Sequence, residues 1–275
     1  MATQQFFVDM VAEELSAGRL ILPTLPEVAL AISEVLSRDD VSTVRVAQEI
    51  SKDPATAARV VAAANTAGMR GAGKAVDTLN QAITRLGFNL TRVLVNRIAM
   101  EQMFHAKSHA LGQIMKKTWM RSLQVAALGS VLARRSPQLQ PETAMLAGLV
   151  HLVGVLPIIR LLDSRHKEET EALHAEQSVF KYQAEIGHLV LQKWKLPPDL
   201  VEIPMVIGDF SRTHAGPADY ADVMNVAVLL LQQLPAPKSL GSVEAFQKLS
   251  LPADLAVMET PEIKDAYTQA LKMLS

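Results

Sequence analysis

The sequence contains no cysteine, few aromatic residues and almost no net charge. Its 275 residues include 4% aromatic side chains, and 27 Lys and Arg residues stand against 28 Asp and Glu residues. The absence of cysteine excludes disulfide bonds and thiolate metal sites, and it fits a reducing compartment. A formal net charge of −1 leaves the whole molecule without the positive field that attracts nucleic acids and acidic membranes, although local basic patches remain compatible with it.

Long apolar runs are also lacking. No uninterrupted run reaches the roughly 18 residues that a membrane-spanning helix needs. The first residues, "MATQQFFVDMVAEELSAG", include acidic side chains and no basic segment of the kind that opens a signal peptide. We therefore expect a cytoplasmic protein that does not associate with membranes.

The residues that are abundant favour helices. Hydrophobic residues make up 49% of the chain, and Ala, Leu and Val dominate, which is typical of packed helices rather than sandwiches or barrels. Helix boundaries can be placed at several points. Pro26 opens one helix, Ser42 or Thr43 caps the next, Asp53 caps a third, and Gly87 ends a fourth. No segment predicts a strand, so the expected fold class is all-α.

Five segments, taken in their order along the chain, are more specific together than any one of them alone. They are "LPTLPEV", "ISKDPATAARVVAAANTAG", "QAITRLGFNLTRVLV", "MLAGLVHLVGVL" and "AEIGHLVLQKWKLPPDL". Together they resemble the HDOD family, a group of bacterial signalling domains related to metal-dependent phosphohydrolases of the HD type. The resemblance implies one domain over residues 1–275, with an N-terminal helical lobe (1–110) packed on an HD-like helical lobe (111–275).

The same resemblance implies that the hydrolytic site is degenerate. Active HD enzymes hold divalent metals with imidazoles and carboxylates, and the metal activates a water molecule. His151 matches the central histidine, but Leu152 follows where an aspartate is required. Arg121 and Gln183 stand where an active relative has ligand histidines, and the cation of Arg121 would repel a metal. We therefore expect no metal, no other cofactor and no catalysis, with His151 a core histidine.

A local basic surplus keeps a second interpretation open. Between Lys52 and Lys107 there are eight basic residues against three acidic ones. The stretch "VSTVRVAQEISKDPATAARVVAAAN" also resembles a helix-turn-helix, in which only Thr56 and Arg59 could read bases from the second helix. The residues proposed for a basic interaction surface are Arg59, Arg70, Lys74, Arg85, Arg92 and Arg97.

The favoured interpretation is a non-catalytic regulatory module that binds another protein in a signalling pathway. DNA binding and residual metal-dependent phosphohydrolase activity are its alternatives. The sequence does not define an oligomeric state. His214, in a polar loop beside Arg212 and Thr213, is expected to contact solvent rather than a metal.

Overall fold

A computed structural model describes residues 2–36, 38, 40–71, 73–165 and 172–274, with only the backbone described for residues 2–8, 165 and 172–178. Within these ranges every regular element is helical, which confirms the all-α prediction. The 3-10 helices are Leu240–Ser242 and Leu255–Glu259. The α-helices are α1 (Ala2–Ser16), α2 (Glu27–Leu36), α3 (Thr43–Ile50), α4 (Pro54–Ala64), α5 (Ala67–Arg70), α6 (Leu79–Glu101), α7 (His109–Ala133), α8 (Pro141–Val150), α9 (Val155–Arg165), α10 (Ala172–Lys193), α11 (Pro198–Val201), α12 (Ile203–Val206), α13 (Tyr220–Leu230), α14 (Glu244–Lys248) and α15 (Pro261–Leu274).

Local sequence signals explain several of these boundaries. The Ser42 hydroxyl accepts a hydrogen bond from the Arg45 N–H at the start of α3, and the Asp53 carboxylate accepts one from the Ala55 N–H at the start of α4. Such caps satisfy N–H groups that lack a partner within the helix. Gly87 has φ 76° and ψ 166° and divides α6 into two helical parts, because this backbone conformation is open to glycine and strained for other residues.

The longest buried helices form the centre of the molecule. α7 packs against α8, α13 and α15, while α6 packs against α2, α3, α4 and α8. One continuous hydrophobic core extends from Met10 to Leu274. The first helix, α1, packs on α9 and α10 rather than only on its neighbours in sequence. The division into lobes at residue 110 stays a prediction.

The segment Pro141–Ser164 is long and apolar enough to cross a membrane by length and composition. It comprises α8, a turn and most of α9, and 89% of its apolar window is buried inside the protein. Burial of this kind is expected of a core segment in a soluble protein. His151 and Leu152 lie in the turn.

Candidate functional site

His151 follows the last residue of α8, and its side chain is 3% exposed. The ring nitrogen Nδ1 lies 2.7 Å from the Gly148 carbonyl oxygen, to which it donates a hydrogen bond. Burial lowers the pKa of His151 to about 4; the Gly148 hydrogen bond opposes this shift, whereas the charge of Arg121 lowers the pKa further. At neutral pH the ring is therefore uncharged, with its proton on Nδ1 and a lone pair on Nε2.

The turn after His151 is held against α10 by a close approach at Gly154. A Cβ atom built on Gly154 would lie 2.0 Å from the Gln183 carbonyl oxygen and 2.5 Å from the Gly187 nitrogen. Only a residue without a side chain permits this contact. The approach places Gln183 beside the turn, where its side chain is buried and its Oε1 accepts no hydrogen bond from any described residue.

Arg121, on α7, is fixed by a partner far away in the sequence. Its guanidinium donates hydrogen bonds to the Gln233 carbonyl oxygen and, at 3.4 Å, to the Gln233 Oε1. The Gln233 Nε2 in turn donates to the Arg121 carbonyl oxygen at 3.3 Å. The guanidinium also lies 5.4 Å from the centre of the Phe180 ring, within the range of a cation–π interaction.

These side chains surround one cavity of about 1090 Å³, which we call the His151 pocket. It brings together all four residues that the sequence assigned to the degenerate site. The residues that line it are Arg121, His151, Leu152, Phe180, Gln183, Ala184, Pro204, Met205, Ile207, Gly208, Phe210, Val228, Gln233, Leu234 and Pro235. Among these described residues no carboxylate or thiolate is present, and His151 is the single histidine.

A second histidine lies among carboxylates instead. His214, Asp219 and Asp222 each present a potential ligand atom within 4.8 Å of the others. The His214 Nε2 lies 2.8 Å from the Asp222 Oδ2, and its Nδ1 lies 3.0 Å from the Ala215 carbonyl oxygen. The ring is therefore partly buried and contacts protein groups as well as solvent. The expectation that it does not bind a metal stays a prediction.

Arg212 joins these three residues, and we call the four residues the His214 cluster. Its guanidinium forms ion pairs with Asp219 and, at 3.1 Å, with Asp222. Burial raises the pKa of Asp219, but hydrogen bonds from Arg212 and from the Asp222 N–H, together with the charges of Arg212 and His214, lower it overall. The carboxylates also form a capping box at the start of α13, so this pair already has a structural role.

The six basic residues of the proposed interaction surface differ in exposure. Arg70 and Lys74 are exposed. Arg97 is 5% exposed and lies 3.5 Å from Glu101, which also pairs with Arg59. Arg85 donates hydrogen bonds to the carbonyl oxygens of Ala64 and Lys74, and Arg92 is half-buried. The role of these residues as an interaction surface stays a prediction.

The helix-turn-helix interpretation is weakened by the two side chains on which it depends. Thr56 is completely buried, and its hydroxyl donates to Asp53 at 2.6 Å. Arg59 is engaged by Glu101. Neither side chain extends freely from α4, so the helix lacks the set of polar side chains that reads base edges.

Comparison with known proteins agrees with this architecture. The family model of the HDOD domain matches residues 22–206. No curated protein matches the chain.

A structure from Shewanella amazonensis, named as a candidate metal-dependent phosphohydrolase, superposes with a TM-score of 0.84 at 28% identity and covers all of both chains. An HDOD domain protein of unknown function from Geobacter sulfurreducens superposes with a TM-score of 0.68 at 21% identity over 98% of both chains. A candidate signal transduction protein from Marinobacter aquaeolei gives a TM-score of 0.63 at 22% identity, over 94% of this chain and 60% of its own. Because the family model covers more than half of the sequence, the chain belongs to the HDOD family.

Proposed function

We propose that this HDOD protein is a non-catalytic signalling module that acts by binding another protein. The observation that carries the proposal is the donor set of the His151 pocket. A hydrolytic metal needs several nitrogen or oxygen ligands and one open position for water. Among the described lining residues only His151 is a histidine, and Leu152 occupies the place of the adjacent carboxylate.

Charge supports the same conclusion. The described lining residues include the guanidinium of Arg121 and no carboxylate to balance a dication. The residues present around His151 therefore do not fit the divalent metal of an HD hydrolase, and we derive no catalytic step from them. The His214 cluster has better donors, but Arg212 and the cap of α13 already use its carboxylates.

A signalling role is supported by family membership, and the Marinobacter neighbour is named as a candidate signal transduction protein. A protein partner is favoured over DNA because Thr56 and Arg59 are engaged within the N-terminal helices. Arg70 and Lys74 remain exposed on the basic segment. We propose that they contribute to the partner surface.

The proposed absence of catalytic activity is tested by incubating the purified protein with cyclic di-GMP, cyclic mononucleotides, nucleoside triphosphates and a nitrophenyl phosphate in the presence of Mn²⁺. We expect no turnover, and we expect elemental analysis to find no stoichiometric divalent metal. His151→Ala is the matched control, because activity from a contaminant would not depend on it. Turnover that disappears in His151→Ala would overturn the proposal.

Partner binding is tested by affinity capture from the native cytosol followed by reconstitution with the purified partner. The double variant Arg70→Glu/Lys74→Glu should weaken that complex, because both charges are reversed. The double variant Lys116→Glu/Lys117→Glu reverses two exposed charges on α7 and should leave the complex intact. Equal effects of the two double variants would contradict the assigned surface.

A further inference from the structure

The His151 pocket contains a polar atom that the described residues leave without a hydrogen bond. Gln183 is 8% exposed, and no described residue donates to its buried Oε1. A buried carbonyl oxygen without a partner is costly to a fold and calls for an explanation.

A bound ligand would supply the missing partner. A carboxamide presents an N–H donor beside a carbonyl acceptor, whichever way the group is turned. The complementary group is one with an acceptor beside a donor, such as a ring C=O next to a ring N–H. Glutamine pairs in this bidentate way with the edges of heteroaromatic rings.

His151 adds a second requirement. Its Nδ1 donates to the Gly148 carbonyl oxygen, which leaves a lone pair on Nε2 in the neutral ring. With the pKa of His151 lowered to about 4, Nε2 is an acceptor at neutral pH. A ligand that reaches both Gln183 and His151 must therefore carry a further N–H or O–H donor.

The rest of the pocket restricts the shape and charge of the ligand. Leu152, Phe180 and Phe210 provide apolar and aromatic walls, and the volume of about 1090 Å³ is slightly larger than is usual for small-molecule sites. Arg121 is the one permanently charged residue among the described lining residues, so a cation is disfavoured. Flat rings suit the aromatic walls.

We propose that the His151 pocket binds a small, planar, uncharged ring lactam with a second N–H donor. The lactam edge pairs with Gln183, and the second donor reaches the His151 Nε2. The inference rests on the proposed loss of catalysis, because a metal at His151 would occupy the same nitrogen. The pocket would then allow a module without catalytic activity to respond to a bound ligand.

Saturation-transfer NMR with the full chain tests the proposal, with hypoxanthine and uracil as probes. Both have a lactam edge and a further N–H, and we expect dissociation constants on the order of 1 mM or lower, as suits ligands of this size. 1-Methylhypoxanthine has a methyl group in place of the donor on that edge and should bind at least about tenfold more weakly. If neither hypoxanthine nor uracil binds at millimolar concentration, the proposal is wrong.

The decisive variant is Gln183→Leu. It should abolish probe binding while leaving the melting temperature unchanged or higher, since it removes a buried carbonyl oxygen to which no described residue donates. Gln247→Leu makes the same chemical change at an exposed position of α14 and should leave binding unchanged. Binding that persists in Gln183→Leu, or a large loss of stability in that variant, would contradict the assigned role.

The two proposals fail in different ways. Lactam binding without phosphoester turnover supports both. Metal-dependent turnover that requires His151 would overturn the proposed function. An inert protein that binds neither probe would overturn only the ligand assignment.

Discussion

The two histidine sites of this protein differ in the side chains that surround the ring. His151 lines a cavity, but its neighbours there are Leu152, Gln183 and Arg121. His214 has two carboxylates within reach, but they bind Arg212 and cap α13. Suitable donors and a suitable cavity are thus separated in the molecule. The comparison teaches that neither position nor ligand type alone makes a metal site.

The two sites also differ in whether their polar groups have hydrogen-bonding partners. In the His214 cluster both carboxylates accept hydrogen bonds from Arg212, and the His214 Nε2 lies 2.8 Å from the Asp222 Oδ2. In the His151 pocket the Gln183 Oε1 accepts no hydrogen bond from the described residues. A satisfied cluster stabilises a fold, whereas a pocket with unused polar groups is arranged for a ligand. Four predictions test this contrast.

The largest expected effect comes from restoring the missing carboxylate with Leu152→Asp. Leu152 is 6% exposed, so the new charge should lower the free energy of unfolding by about 3 kcal/mol, and Mn²⁺ should not restore it. Chemical denaturation with and without Mn²⁺ measures the change. Leu152→Asn controls for polarity without charge.

Arg121 lines the same pocket and can pair with the introduced carboxylate. Combining Leu152→Asp with Arg121→Met should therefore cost more than the sum of the single changes. A large stabilisation of Leu152→Asp by Mn²⁺, together with hydrolysis, would show that one substitution restores the enzyme.

The second prediction concerns the His214 cluster. Asp222 is 2% exposed and accepts hydrogen bonds from Arg212, His214 and the Asp219 N–H. Asp222→Ala should lower the free energy of unfolding by about 3 kcal/mol, because a buried charge pair and a helix cap are lost together. Asp265→Ala, at an exposed position of α15, should have almost no effect. A small loss in Asp222→Ala would mean that the cluster is not structural.

The third prediction uses the pH dependence of stability. The pKa of His151 is lowered from 6.5 to about 4 in the folded protein, so the unfolded chain takes up its proton first as the pH falls. The contribution of neutral His151 is complete above pH 6.5 and is lost as the pH falls from 6.5 towards 4. Between pH 7 and pH 4.5 this loss amounts to roughly 2–3 kcal/mol.

His151→Gln removes the titrating group and should flatten the pH profile of the unfolding free energy over this interval. His105→Gln replaces an exposed histidine and should retain the profile of the unmodified protein. Parallel urea titrations at several pH values measure both. An unchanged slope in His151→Gln would show that the ring is not held neutral by burial.

The smallest expected effect comes from removing the positively charged guanidinium of Arg212 from the His214 cluster. Arg212→Met leaves His214, Asp219 and Asp222 without the guanidinium, so millimolar Zn²⁺ should stabilise this variant by about 1 kcal/mol. The unmodified protein should gain nothing from Zn²⁺, because Arg212 neutralises the same carboxylates. Thermal unfolding with and without the metal gives the answer, and stabilisation of both proteins would remove the distinction between the sites.

Local sequence signals predicted most of the helical framework. The caps at Ser42 and Asp53 and the interruption at Gly87 depend on residues close in sequence, and the structure has all three. The resemblance also identified the residues that line one cavity, His151, Leu152, Arg121 and Gln183, although these lie on separate helices or turns.

Long-range pairing could not be predicted. Arg121 and Gln233 are 112 residues apart, and no periodicity links them. A count of charges likewise could not show that Arg59 and Arg97 share Glu101. The pairing of His214 with Asp222 had one overlooked signal, since Asp219 and Asp222 have the spacing of a capping box before an apolar helix.

The close packing at Gly154 separates positions that can change from positions that cannot. A substitution at residue 121, 152 or 183 alters a side chain that borders open volume, so the backbone need not move. A single methyl group at residue 154 would collide with the Gln183 carbonyl oxygen and push α10 away from the turn. Point mutations can therefore change the polar and charged groups of this site while its shape persists. The residue that fixes the shape, Gly154, has no side chain.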